Sequence, residues 1–170
     1  TIDEVRVWNI ARTQQQIQEN MHLRLSGTET GLAGYWRFDE GSGSNTTDAS
    51  GNGNTGTLVG GPAWVTATEP LGVGTSTTQT VGSTGTVTFP GADLSIDVTV
   101  NLGTDDLVVT RINGSPAGSQ PSGGTTIGGK YWIIEKYGTG GLTVNLSHTF
   151  GAGVLTPDDS LNSAGVKMFR

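Results

Sequence analysis

The sequence predicts an all-β chain, with one short helix near its start and an antiparallel β-sandwich in its later part. Three observations carry this. Glycine is 28 of 170 residues, about twice the ~7% usual in proteins, and serine and threonine are abundant beside it. Tight turns between short strands need residues that tolerate positive φ. The four tryptophans, Trp8, Trp36, Trp64 and Trp132, each stand in an apolar run, as buried anchors do. Beyond residue 77, short strand-like runs recur at even spacing.

The elements follow in order. Residues 2–8 are rich in β-branched and aromatic side chains and read as a strand. Thr13 is placed to cap a helix, and Gln16 three residues on completes a capping box. Ile17 and Met21 lie at i and i+4 and give one apolar stripe, which Leu25 extends before Ser26-Gly27 ends it. Residues 31–38 form a second strand, with Leu32, Gly34, Trp36 and Phe38 on one face and Ala33, Tyr35 and Arg37 on the other. Residues 41–54 are a polar, glycine-rich loop. Gly56–Val59 and Ala63–Val65 are short strands.

Pro70-Leu71-Gly72 marks a boundary, with 71–76 as a linker between a unit at 1–70 and a second at 77–170. Strands are expected near 79–89, 94–102, 105–112, 130–137, 142–150 and 165–169. Leu94–Val100 and Leu142–Leu146 alternate cleanly between apolar and polar residues, as half-buried antiparallel strands do. Asn113-Gly114 and the paired glycines at 123–124 and 128–129 punctuate them. Such a series argues for an Ig-like β-sandwich.

Two motifs carry a family resemblance. The first is Ile2-Asp3-Glu4-Val5-Arg6-Val7-Trp8-Asn9 with the helix after it. The second is Gly31-Leu32-Ala33-Gly34-Tyr35-Trp36-Arg37-Phe38-Asp39-Glu40-Gly41-Ser42-Gly43, followed by Asp48-Ala49-Ser50-Gly51-Asn52-Gly53-Asn54-Thr55-Gly56-Thr57-Leu58. The first resembles the closing strand and helix of a laminin-G-like, concanavalin-A-like jelly roll. The second resembles the opening strand and first loop of such a domain. The match covers about residues 1–66, with the closing motif first. It implies a jelly-roll fragment, an antiparallel β-sandwich cut from a larger repetitive protein, followed by the second sandwich. Both sandwiches read as truncated. The opening motif either begins a degenerate repeat or supplies a strand, 31–38, that pairs with strand 2–8; first and last strands of this family lie close in space, which favours the pairing. More loosely, residues 77–170 resemble the β-sandwich that precedes the sorting domain of proteins exported by type IX secretion. Val108-Val109-Thr110-Arg111, Lys130-Tyr131-Trp132-Ile133-Ile134 and Pro157-Asp158-Asp159-Ser160-Leu161 carry that likeness.

Composition narrows the function classes. The net charge is -6 and no basic stripe is present, so a nucleic-acid partner has no electrostatic footprint. An anionic membrane surface is disfavoured on the same ground, and no run approaches the ~20 apolar residues of a spanning helix. There is no cysteine, which excludes disulfides, thiol nucleophiles and thiolate metal sites. Export remains compatible, and the resemblance implies an extracellular or cell-surface place.

Calcium is the first candidate cofactor. Asp48, Asn52 and Asn54 cluster in one glycine-rich loop, with Asp39 at the end of the preceding strand and Asp3 on the neighbouring strand. Hard cations take oxygens from such residues, and the resemblance implies a structural calcium at this edge. The same residues also make turns with no metal at all, and both readings stand here. For a glycan, Tyr35, Trp64, Tyr131 and Tyr137 are available aromatics, while Trp8 and Trp36 are expected in the core.

Enzymatic readings fail on spacing. A glycosidase needs two carboxylates across one cleft. Asp3-Glu4, Asp39-Glu40, Asp105-Asp106 and Asp158-Asp159 are adjacent pairs whose members point to opposite faces of a strand. His22 and His148 accompany no Gly-x-Ser-x-Gly elbow and have no metal spacing. The sequons at Asn45, Asn113 and Asn145 are read as chance matches. The expectation is a non-catalytic recognition or adhesion module for glycan or extracellular protein. The alternative is a spacer that presents a domain elsewhere in a larger protein.

Overall fold

A computed structural model describes residues 1–66, 71–114 and 129–145. The described chain is all-β with one short helix, in order β1 (Val5–Trp8), α1 (Gln14–Asn20), β2 (Leu32–Trp36), β3 (Asn45–Thr46), β4 (Gly56–Thr57), β5 (Gly74–Val81), β6 (Gly85–Phe89), β7 (Leu94–Asn101), β8 (Asp105–Asn113), β9 (Lys130–Tyr137) and β10 (Leu142–Asn145). The expected strand at 165–169, the later part of 142–150, His148 and Asp158-Asp159 lie outside the described residues.

β1 and β2 pair antiparallel, as expected, with Val5 opposite Trp36 and Arg6 opposite Tyr35. The register then steps from Val7–Gly34 to Trp8–Leu32, passing over Ala33. This bulge breaks the strict alternation expected along 31–38. Leu32 and Tyr35 therefore meet in one buried cluster with Leu25, and Trp8, Leu23 and Ala49 pack against it. The core aromatic is Tyr35. Trp8 and Trp36, expected in the core, are only half-buried. Trp36 folds back over Gly34, where a β-carbon would lie 2.5 Å from its ring.

Thr13 caps α1 with the full capping box: its hydroxyl accepts from Gln16 N–H at 3.2 Å, and Gln16 Oε1 accepts from Thr13 N–H at 3.0 Å. The apolar stripe departs from expectation. Ile17 is 57% exposed and Met21 43%, and of the three only Leu25 is buried. The helix stops at Asn20, one turn before Leu25. Its C-terminal carbonyls are taken instead: Asn20 Nδ2 donates to Gln16 O at 2.6 Å, and Arg6 donates to Asn20 O at 2.7 Å and to Leu23 O. A guanidinium at this end suits the helix dipole.

The later strands form two three-stranded antiparallel sheets, β5-β8-β9 and β10-β7-β6. Both contribute to one core of Val81, Phe89, Ala92, Leu94, Ile96, Val98, Leu107 and Val109, with Trp132 against it. The expected single strand 79–89 is two strands in different sheets. The chain crosses between them at Gly82-Ser83-Thr84, and Gly85 takes φ +124° to re-enter.

β8 is buried on both faces. Leu107 and Val109 point into the shared core, yet Val108, Thr110 and Ile112 on the opposite face are buried too. α1 and the segment at Gly72 lie against β8. Gly72 forms a parallel bridge with Leu23, and a β-carbon on Gly72 would lie 2.4 Å from Ile112 Cγ2. Glu19 accepts from Thr78 N–H at 3.2 Å, and His22 Nε2 lies 3.2 Å from Glu135 Oε2. Residues 71–76 are thus no free linker: they bridge to the first unit and begin β5.

Candidate functional site

The Asp48–Asn54 loop folds along the edge of β2 that faces away from β1. Asp48 is 8% exposed. Its Oδ1 accepts from Tyr35 N–H at 3.0 Å and Ser50 N–H at 2.9 Å. Its Oδ2 accepts from the Asn54 backbone at 3.0 Å and the Asn54 side chain at 2.9 Å. Burial by itself pushes this carboxyl up, but the hydrogen bonds from Ser50, Asn54 and Tyr35 outweigh it and hold the group well below the usual carboxylate range. Donors to an ionised acceptor favour the charged form.

The neighbouring amides face the strand. Asn52 Nδ2 donates to Leu32 O and Ala33 O, both at 3.2 Å, and Asn54 Nδ2 donates to Ala33 O at 3.0 Å. Ala49 N–H reaches Tyr35 O at 2.7 Å. The loop thereby satisfies backbone groups that a free strand edge would leave open. These residues do not fit a cation as arranged. A carboxylate has about four lone-pair sites, and all four on Asp48 hold N–H donors. Asn52 and Asn54 present NH2 groups where a hard cation needs oxygens. Asp39 lies away from the bracket, paired with Arg24 at 2.9 Å. Asp3 accepts from Glu4 N–H at 2.9 Å and lines a separate cleft. Among the described residues no group of three or more His, Asp or Glu side chains converges as metal ligands would.

A second cluster, absent from the sequence reading, centres on Glu4. Its carboxylate takes the Tyr35 hydroxyl proton donor, Arg6 at 2.9 Å and Arg24 at 3.7 Å. The guanidinium groups of Arg6 and Arg37 lie 5.5 and 5.1 Å from the centre of the Tyr35 ring. Burial, and then the neighbouring Glu4 carboxylate, push the Tyr35 phenol up. The i, i+2 spacing of Glu4 and Arg6 was available as a signal, although Glu4 itself precedes β1 with φ +50°. Their partners on residues 24, 35 and 37 were not.

The aromatics divide sharply. Trp36 donates its indole N–H to Asn54 O at 2.7 Å, Trp64 to Gly43 O at 2.9 Å and Trp132 to Ala92 O at 2.6 Å. Each holds a loop. Tyr35, one of the aromatics considered for sugar stacking, is wholly buried. Trp8 differs. It lines a cleft of ≈ 500 Å³ between β1 and α1, together with Arg12, Gln16, Ile17, Asn20 and Met21. The Arg12 guanidinium stacks over the Trp8 ring at 4.2 Å.

No family model, curated protein or solved structure matches this chain. The chemistry of the cleft must therefore be read from its own walls. Its walls carry an aromatic ring, two amides, the cations Arg6 and Arg12 and the carboxylates Asp3 and Glu4, a set that can hydrogen-bond a polar ligand. The adjacent pair Asp105-Asp106 splits across its strand: Asp105 is buried and accepts from Gly140 N–H at 2.9 Å, while Asp106 accepts from Thr80 Oγ1 at 2.6 Å.

Proposed function

We propose that this chain is a non-catalytic recognition module of the laminin-G-like kind, part of a secreted or cell-surface protein. Its binding site is the cleft between β1 and α1, and its ligand is a glycan or an extracellular protein segment. The observation that carries the reading is the Trp8–Arg12 stack set among Gln16, Asn20, Ile17 and Met21 in a cleft of ≈ 500 Å³. That volume is within the ~300–1,000 Å³ range of small-ligand sites. The Trp8 ring holds the Arg12 guanidinium in place from below, and the guanidinium and amides offer hydrogen bonds to hydroxyl or carboxylate oxygens. A glycan and peptide panel tests it. Binding lost in Trp8→Ala and Arg12→Ala, with the same unfolding midpoint within a few degrees, supports the site. Binding unaffected by either change removes it.

A second reading, a spacer that holds other domains apart, is favoured by a different observation. Three tryptophans spend their indole N–H groups on loop carbonyls, and the first unit meets the second through Glu19–Thr78, Leu23–Gly72 and His22–Glu135. A panel with no ligand at all would leave this reading standing.

A further inference from the structure

We infer that Asn52 is a site of spontaneous deamidation, and that its conversion unlatches the 48–54 loop from β2. The described residues hold two Asn-Gly steps, Asn52-Gly53 and Asn113-Gly114. Glycine after asparagine leaves the following amide nitrogen without steric cover. In the reaction, the Gly53 backbone nitrogen gives up its proton to solvent base and attacks Cγ of Asn52. The new N–C bond closes a succinimide ring as the Cγ–Nδ2 bond breaks, and the amide nitrogen leaves as ammonia. Water then opens the ring at either carbonyl, giving aspartate or isoaspartate. Water is the only co-reactant.

The structure separates the two steps by their nucleophiles. Gly114 N–H is held by Gly129 O at 2.6 Å, and Asn113 sits in β8 opposite Lys130 with its own N–H on Val73 O at 2.8 Å. That nitrogen must break a hydrogen bond and a strand pairing before it can attack. Gly53 N–H has no acceptor among the described residues, and both Asn52 and Gly53 are exposed. Other asparagines of this loop region, Asn45 and Asn54, precede threonines, whose branched side chains hinder ring closure.

The consequence follows from what Asn52 holds. Its Nδ2 faces three oxygens, Leu32 O and Ala33 O at 3.2 Å and Ser50 Oγ at 3.1 Å. Conversion to a carboxylate replaces two N–H donors with an acceptor. Two backbone carbonyls then face a negative charge, close to the ionised Asp48, which itself holds Asn54. Charged acceptors facing acceptors repel. The latch reverses from attraction to repulsion, and the outer edge of β2 opens.

The test ages the whole protein in mildly alkaline buffer, folded and in concentrated urea, and maps both sites by peptide mass spectrometry. In the folded protein Asn52 is expected to convert several-fold faster than Asn113. In urea the two are expected to converge, because the hydrogen bond on Gly114 is gone. Asn52→Asp is expected to lower the unfolding midpoint at once, Asn113→Asp to leave it nearly unchanged, and Asn52→Gln to resist conversion. Folded protein that converts Asn113 as fast as Asn52, or that leaves Asn52 intact while the urea sample converts, overturns the assignment of the site. An Asn52→Asp midpoint equal to that of the unaltered protein overturns the latch.

Discussion

Glu19 of α1 accepts a hydrogen bond from the backbone N–H of Thr78 on β5 at 3.2 Å. This joins a helix of the first unit to a strand of the second and closes a donor on the edge of sheet β5-β8-β9. Gly72 approaches Ile112 further along the same strand pair, and the face of β8 that carries Val108, Thr110 and Ile112 is buried.

Gly72→Ala is therefore expected to destabilise the protein. The added β-carbon meets Ile112 Cγ2 at 2.4 Å, and overpacking of this kind costs about 1–3 kcal/mol. Urea denaturation followed by tryptophan fluorescence measures it. A midpoint unchanged from the native chain would mean that Gly72 does not approach Ile112 this closely in solution.

Asp48 sets the acid limit of the first unit. Its folded pKa lies below the unfolded value, so it contributes stability that is complete above the unfolded pKa. That contribution is lost as pH falls from about 4 toward the folded value. Asp48→Asn keeps the shape and removes the charge. Its stability is expected to be lower near neutral pH, by about 2 kcal/mol for lost charged hydrogen bonds, and to fall less steeply in acid. Parallel acid slopes for the two proteins would count against this role.

Calcium is expected to leave the first unit unchanged. All four lone-pair positions of Asp48 hold N–H groups from Tyr35, Ser50 and Asn54. Thermal unfolding with millimolar calcium and with chelator is expected to coincide. A saturable rise with calcium would show that the loop can turn its oxygens outward to a cation.

Tyr35→Phe isolates the buried hydroxyl. That oxygen accepts from Leu25 N–H at 3.2 Å and donates to Glu4. Removing it leaves a buried amide and a buried carboxylate each one partner short, at a cost of about 1–3 kcal/mol. Chemical denaturation reads this directly. Loss well under that range would mean that water or Arg24 takes the vacated place.

The local signals were readable in the chain. Thr13 and Gln16 announced the helix start, because a capping box is made within four residues and needs no tertiary partner. The β-branched runs at 94–102 and 105–112 announced strands, found at Leu94–Asn101 and Asp105–Asn113, and the pairing of 2–8 with 31–38 was expected and is found. The strand break at Gly82-Ser83-Thr84 was missed, since two strands joined by a short crossing read as one run when only their composition is visible.

The candidate site was legible as residues and not as an arrangement. Asp48, Asn52 and Asn54 were picked out as polar groups in a glycine-rich loop, a pattern shared by cation loops and by hydrogen-bonded turns. Which of the two forms depends on whether donors or a cation meet the oxygens. One of those donors comes from Tyr35, 13 residues back, and no spacing rule places it; the others come from Ser50 and Asn54 within the loop.

By itself the sequence determined the all-β class, the helix cap and the turn positions, since propensity, capping and glycine geometry act over a few residues. Tertiary structure alone decided that β8 is buried on both faces, that Tyr35 and not Trp36 is the core aromatic, and that Ile17 and Met21 stay exposed. The reason is physical. Burial is a property of what comes to lie opposite a side chain, and such neighbours are distant in the chain: 15 residues for Arg24–Asp39 and 59 for Glu19–Thr78.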